Sequence, residues 1–471
     1  MPFLNKHIVA MLAPAWGHTV SYIHFMNQLL RMDEGLVITI VQHHLLVPKM
    51  ISELAGTSYD TRGGALKAET IFVAMQELAN DWLATLPSLF CELDFACGGS
   101  VIEQTKAIAG PSCKTLLWWT APVVSILSHL SDNDFLAIAE EIYADGSKRN
   151  GRSLDEILHQ VFLAANGSDQ LSGRILRLPG GPDIYDHERQ AYGAGAPFGT
   201  QMFTEAQKLA KHVDGFVVTS SVALEPLGVP YCREFYRGRG QEFFCGWDTG
   251  LMSIMGWRGK YALDILANVG LLRSLFFPVA TPHLVEALVD TLITLDQPFP
   301  FIFALGGQMA SLPPSLIDRV HKSGKGLICD FWVEQRAILQ HGAVGWFLTH
   351  GGANSLSESL TQGIPLIIWP VAAEQPLNAA LFSAEPNPVA IELFQIRTGP
   401  HIGPSLHTEA SITGTIEDAT KEFKATFDVA RVGVCGPRGK VLQNNAAKLA
   451  ESLRQERGNE IPKELQRLIY F

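Results

Sequence analysis

The chain has 471 residues, enough for two domains with sizeable cores, and 47% hydrophobic against 18% charged content excludes a disordered polymer. With 36 basic and 47 acidic residues the net charge is −11, and the absence of a long basic run excludes an electrostatic footprint for nucleic acid. Seven scattered cysteines form no CxxC pair, which fits reduced thiols in the cytoplasm. The apolar N-terminal run is short and ends at a glycine turn, so it reads as a core strand rather than a leader. No apolar stretch approaches the ~18 residues of a transmembrane helix.

In chain order, His7 to Leu12 reads as a buried strand, followed by the turn Ala13-Pro14-Ala15-Trp16-Gly17-His18. A helix with Ile23, Met26, Leu29 and Leu30 on its apolar positions leads to a second strand, Val37 to Val41. Strand, helix, strand predicts a parallel α/β sheet. His18 then falls at the start of the first helix, where the dipole keeps an imidazole neutral and suited to act as a general base. Taken alone, it reads equally as a capping or solvent-facing histidine. Leu116 to Trp119 is another strand, and residues 131–199 form a polar excursion with helical pieces. A helix from Phe203 to His212 precedes the strand Gly215 to Thr219. Residues 233–273 read poorly as regular structure. Thr281-Pro282 opens a helix with Leu284, Leu288, Leu292 and Leu295 on one face, and Phe301 to Leu305 and Leu327 to Phe331 are strands.

The most informative stretch runs from Trp332 to Gln375. A short helix (Glu334 to His341) leads to the apolar strand Val344 to Leu348, the turn Thr349-His350-Gly351-Gly352, a second helix, and the strand Leu366 to Trp369. A strand, a glycine turn and a helix start together offer free backbone N–H groups and a positive dipole end to an anion. Asn354 and Ser355 are placed to cap that helix and to donate to the same anion. Glu358 lies one turn further on, and Trp332 offers a flat face for a base. Glu374 and Gln375 follow a strand, at the sheet end where α/β proteins bind ligands. These groups suit a nucleotide sugar. In isolation Trp332 reads as a core aromatic and Glu358 as a solvent-facing helix residue. No GxGxxG follows a strand and no GxxxxGK[ST] occurs, so the dinucleotide and P-loop readings lack support.

The same 44 residues resemble the signature box of the UDP-dependent glycosyltransferases of the plant and fungal secondary-metabolite type. Trp332, Gln335, His350, Gly352, Asn354, Ser355, Glu358, Gly363, Pro365, Glu374 and Gln375 fall on the pattern, whereas Glu334 and Ala353 stand where proline and tryptophan are usual. The resemblance implies an α/β GT-B fold of two Rossmann-like domains facing a cleft. Residues 1–240 would bind the acceptor, 241–273 form an atypical linker, 274–457 bind the UDP-sugar, and 458–471 form a helix returning to the first domain.

It further implies that Gly17-His18 is the catalytic pair, with Asp94, or failing that Glu92, orienting the base. Ser21 stands where the family has proline. Ser274 would take the family's donor-loop serine position, with Arg273 replacing a glycine. Trp332 would stack the uracil, and Gln335 and Glu358 hold the ribose. His350, Gly351, Gly352, Asn354 and Ser355 would hold the diphosphate, and Glu374 and Gln375 the sugar, with Gln375 favouring glucose. The expected reaction is inverting transfer to a hydroxyl of a small lipophilic acceptor, with UDP-sugar as co-substrate and with neither metal nor other cofactor. The alternative is a nucleotide-sugar-binding protein weakened or silenced by the 233–273 segment.

Overall fold

The computed structural model describes residues 7–12, 16–33, 35–42, 46–56, 106–107, 110, 113–131, 134–166, 173–189, 197–246, 269–274, 281–297, 299–305, 312–331, 333–430 and 436–471. Asp94, Glu92 and Trp332 lie outside them. The first domain opens with β1 (His7–Met11), α1 (Trp16–Met32), β2 (Val37–Val41) and α2 (Val47–Gly56). Strands β1 and β2 pair in parallel. Further along, β3 (Leu116–Trp119), α3 (Pro197–His212), β4 (Gly215–Val218), α4 (Gly228–Arg237) and β5 (Glu242–Cys245) follow. The parallel order β3-β4-β5 makes a second group of strands. Val217 and Phe244 share a buried cluster with Ala10, Ile23 and Phe25, so α1 serves one core with both groups. Val123, Ile126, Leu127 and Leu130 share a buried cluster with Phe216, Val218 and Phe243 of these strands.

The second domain begins with β6 (Val269–Ser274), α5 (Pro282–Thr294), β7 (Phe301–Leu305), α6 (Pro314–Ser323) and β8 (Gly326–Cys329). It continues through α7 (Gln335–Leu339), β9 (Val344–Thr349), α8 (Ala353–Leu360), β10 (Leu366–Ile368), α9 (Gln375–Ser383), β11 (Ala390–Glu392) and α10 (Ile416–Val429). Its six strands are parallel in the order β8-β7-β6-β9-β10-β11. That order reverses between β6 and β9, the switch point at which such sheets bind ligands beyond their C-terminal ends. The apolar runs FIFAL and VGWFLT fill the sheet, and Leu284, Leu288, Leu292, Trp346, Trp369 and Phe423 form the buried layer beneath it. The last helices, α11 (Pro437–Asn459) and α12 (Ile461–Ile469), return to the first domain. There Arg467 donates to Glu242 at 2.7 Å, Phe471 packs on Phe244 with ring centres 5.4 Å apart, and the Glu456 carboxylate accepts the N–H groups of Val222 and Ala223, each at 2.9 Å.

Two parts of the segment that reads as atypical linker are regular. Glu242–Cys245 pairs in parallel with Gly215–Val218, so the first sheet extends past residue 240. Val269–Ser274 stands in the middle of the second sheet, between β7 and β9. Its backbone is held by ladders on both sides, so the weak apolar pattern of VGLLRS does not prevent a strand.

Candidate active site

The switch point brings the C-terminal ends of β6 and β9 side by side. The register pairs Leu348 with Leu272, which sets Ser274 level with His350. After β9 the chain turns through His350-Gly351-Gly352 into α8. Gly351 has φ +85, a left-handed backbone, and a Cβ there would stand 2.7 Å from the Ile368 methyl. The Asn378 amide donates to the Gly351 carbonyl at 2.8 Å and fixes the turn. Gly352 is the N-cap of α8, and a Cβ there would lie 2.4 Å from His350 Nε2, so the imidazole rests directly over the helix start. Its Nδ1 is 3.5 Å from the Thr349 hydroxyl.

Asn354 and Ser355 do not cap the helix. They are its second and third residues, and no side chain caps the start. Asn354 instead crosses to the first domain, donating from Nδ2 to the Gly17 carbonyl at 2.7 Å and accepting from the Ser21 hydroxyl at 2.6 Å. The Ala353 N–H is met by the Glu374 carboxylate, which burial raises above the ordinary carboxyl range and that N–H draws back down. Glu374 thus stands at the start of α8, beside the glycine turn. Glu358 accepts from Gln335 Nε2 at 2.5 Å and from Arg336 Nε at 3.0 Å. Gln375 turns its amide oxygen back on its own loop, accepting the N–H groups of Val371 and Ala372 at 2.9 and 3.0 Å.

His18 is the third residue of α1, next to the Gly17 carbonyl that Asn354 engages. The residue is exposed to solvent. Desolvation by the surrounding protein atoms lowers its pKa from 6.5 to about 4. His18 thus sits in the turn of α1 that Asn354 binds. Of the expected set, His18, Gly351, Gly352, His350, Asn354, Ser355 and Glu374 gather at this helix start and cleft, with Gln335 and Glu358 one turn along. Ser21, His24, Arg336 and Asn378 were not anticipated. The signal for two of them was legible, since Ser21 and His24 are polar residues set among the apolar positions of α1. Among the described residues no group of three or more His, Cys, Asp or Glu is arranged to hold a metal ion.

A parallel sheet in this order, with a glycine turn and helix start at its switch point and a second α/β unit bonded to that helix start through Gly17 and Ser21, is the GT-B architecture, in which the switch point is the expected ligand site. Residues 295–398 match the family described as UDP-glucoronosyl and UDP-glucosyl transferase. UDP-glycosyltransferase eriJ of Hericium erinaceus is 25% identical over 474 residues, covering 90% of each chain. UDP-glycosyltransferase 71D2 of Arabidopsis thaliana is 50% identical over 82 residues, 17% of each chain. Among solved structures, Phytolacca americana UGT2, complexed with UDP-2-fluoro-glucose and pterostilbene, superposes with a TM-score of 0.65 over the whole of both chains at 18% identity. Medicago truncatula UGT71G1, complexed with UDP-glucose, gives 0.60 over 99% of this chain and 98% of that one at 17% identity. The matched relatives are UDP-glycosyltransferases, and the matched solved structures share the two-domain fold of this chain. No helix among the described residues is long and apolar enough to cross a membrane.

Proposed function

We propose that the enzyme transfers glucose from UDP-glucose to a hydroxyl of a small lipophilic acceptor, with inversion and with His18 as general base. The observation that carries this reading is the position of His18 on α1, directly after the Gly17 whose carbonyl takes the Asn354 amide at the start of α8. His18 takes the proton of the acceptor hydroxyl. The oxygen forms its bond to the anomeric carbon from the face opposite UDP, and the bond from that carbon to the diphosphate oxygen breaks with its electron pair. Negative charge then develops on the diphosphate, where His350, the Asn354 amide and the N–H groups of α8 meet it. Glu374, beside Ala353, is placed for the sugar hydroxyls, and Glu358 with Gln335 for the ribose. Asp94, Ser274 and Trp332 keep the parts given them by family resemblance. Glucose as donor and a planar aromatic acceptor are favoured by the UDP-2-fluoro-glucose, UDP-glucose and pterostilbene held by the neighbouring structures.

The test is incubation with UDP-glucose and a panel of phenols and sterols, with product mass and anomeric configuration read by mass spectrometry and NMR. A β-glucoside whose formation falls about 10²- to 10⁴-fold in His18→Ala is expected. Tight UDP-glucose binding without transfer to any acceptor would instead identify a donor-binding protein without turnover.

A further inference from the structure

Helix α1 buries two faces of different chemistry. Ile23, Met26 and Leu29 enter the core. Gly17, Ser21 and His24 follow one another at i, i+4 and i+7, a single stripe along the helix. The two side chains of that stripe are 2% and 3% exposed. Buried polar groups are costly unless bonded, and both are bonded across the cleft to donor-domain residues. Ser21 Oγ lies 2.6 Å from Asn354 Oδ1 and 3.0 Å from the Gly17 carbonyl, and its one hydrogen serves the nearer oxygen. Asn354 Nδ2 donates to the Gly17 carbonyl at 2.7 Å. The amide is thereby oriented, because turning it over would set oxygen against oxygen.

One turn further, Arg336 Nη1 meets His24 Nε2 at 2.9 Å while its Nε holds Glu358 at 3.0 Å. Glu53 of α2 stands 3.3 Å from the same Nε2 and closes the chain on the acceptor side. Neither clamp exhausts its donor-site group. Asn354 keeps a second amide hydrogen, and the Glu358 carboxylate has more lone pairs than its two partners use.

We propose that Ser21 and Arg336 are positioning residues. They hold Asn354 and Glu358 in the geometry that receives diphosphate and ribose, so the donor is gripped fully only while α1 is docked on α7 and α8. This rests on the donor site proposed above. Ser21 is the informative member, since it stands where relatives of the resembled family carry proline, and the coupling it makes is a property of this chain.

The experiment is steady-state kinetics of Ser21→Ala, Ser21→Thr and Arg336→Leu, varying UDP-glucose and acceptor separately, with UDP titrated calorimetrically into each protein. Ser21→Ala is expected to raise KM for UDP-glucose and Kd for UDP about 3- to 10-fold while leaving acceptor KM within twofold. Ser21→Thr, which keeps the hydroxyl, recovers most of that loss. Arg336→Leu raises both donor constants about 10- to 100-fold, since a charged bond is lost. Should Arg336→Leu fail to fold, the serine pair still decides. Donor constants within twofold of wild type in Ser21→Ala would overturn the proposal. So would a fall in donor KM, which would mean that the clamp competes with the nucleotide. If the wild-type protein neither binds UDP nor transfers glucose, the donor-site reading fails and the clamp falls with it. If wild type is active and the variants are silent, only the clamp fails.

Discussion

Gly352→Ala separates the chemistry of the helix start from the stability of the fold. Gly352 has φ −69 and ψ 149, a conformation alanine adopts freely, so the substitution carries no backbone strain. The new Cβ would stand 2.4 Å from His350 Nε2, and 3.2 and 3.3 Å from Cδ2 and Cε1, well inside van der Waals contact. Backbone held by β9 and α8 has little room to give, so the imidazole must swing away. A ring forced off its rotamer costs about 0.5–1.5 kcal/mol, and that bounds the loss of folding stability. Withdrawing one preorganised donor from developing charge costs far more in rate, about 10²- to 10³-fold. Activity and stability should therefore part company. In Gly352→Ala, kcat with saturating UDP-glucose falls about a hundredfold or more, while the urea midpoint shifts by no more than that small cost. His350→Ala falls by a similar factor, and the double variant falls little further, because both changes remove the same interaction. Two results would refute the reasoning: kcat within threefold of wild type in Gly352→Ala, or full additivity with His350→Ala.

Three other outcomes follow from the same geometry. Gly351→Ala combines a left-handed φ of +85 with a Cβ 2.7 Å from Ile368, so it should lose about 2–5 kcal/mol, read by urea unfolding. Because the pKa of His18 is lowered to about 4, the acid limb of kcat/KM should lie below about pH 5 rather than at the 6.5 of free imidazole, and a limb near 6.5 would sink the assignment of His18 as a desolvated base. The sign for stability is opposite to that of a salt-bridged histidine. The unfolded chain takes up the proton first, so this group withdraws stability as the pH falls from 6.5 towards 4. Glu225 is 1% exposed and accepts the N–H groups of Val123 and Val124 at 2.6 and 2.9 Å together with the Ser220 hydroxyl. Glu225→Ala strands three donors beneath the acceptor-side helix and should cost about 3–5 kcal/mol by chemical denaturation.

The order of elements through the second domain was legible because each is written locally. An apolar strand of five or six residues, a glycine turn and an amphipathic helix give the same answer at every scale of reading, and the ends fall within a residue or two. Local writing also explains what misled. Asn354 and Ser355 have the side chains and nearly the position of N-caps, so the sequence predicts capping. Asn354 instead spends its amide on Gly17, 337 residues away in the chain, and no spacing rule reports a bond across a cleft. The strand at Val269–Ser274 was hard to see for the opposite reason. Its pattern is weak, and it is specified by the ladders of β7 and β9 on either side rather than by its own residues.

These cases share a cause that bears on function. Asn354 answers to a partner in the other domain and Val269–Ser274 to neighbouring strands, and contacts of the first kind join the two folded halves. A histidine at the start of α1 is a base only if something fixes it against the sugar's leaving group. In this chain α1 supplies both parts. His18 is exposed at its start, while Gly17, Ser21 and His24 bond to Asn354 and Arg336. The proposed base and the domain register are thus carried by one helix. A shift of that helix moves the base and loosens the donor contacts together, so substitutions along the stripe should change donor affinity and turnover in step, whereas those on the apolar face of α1 should act on stability first.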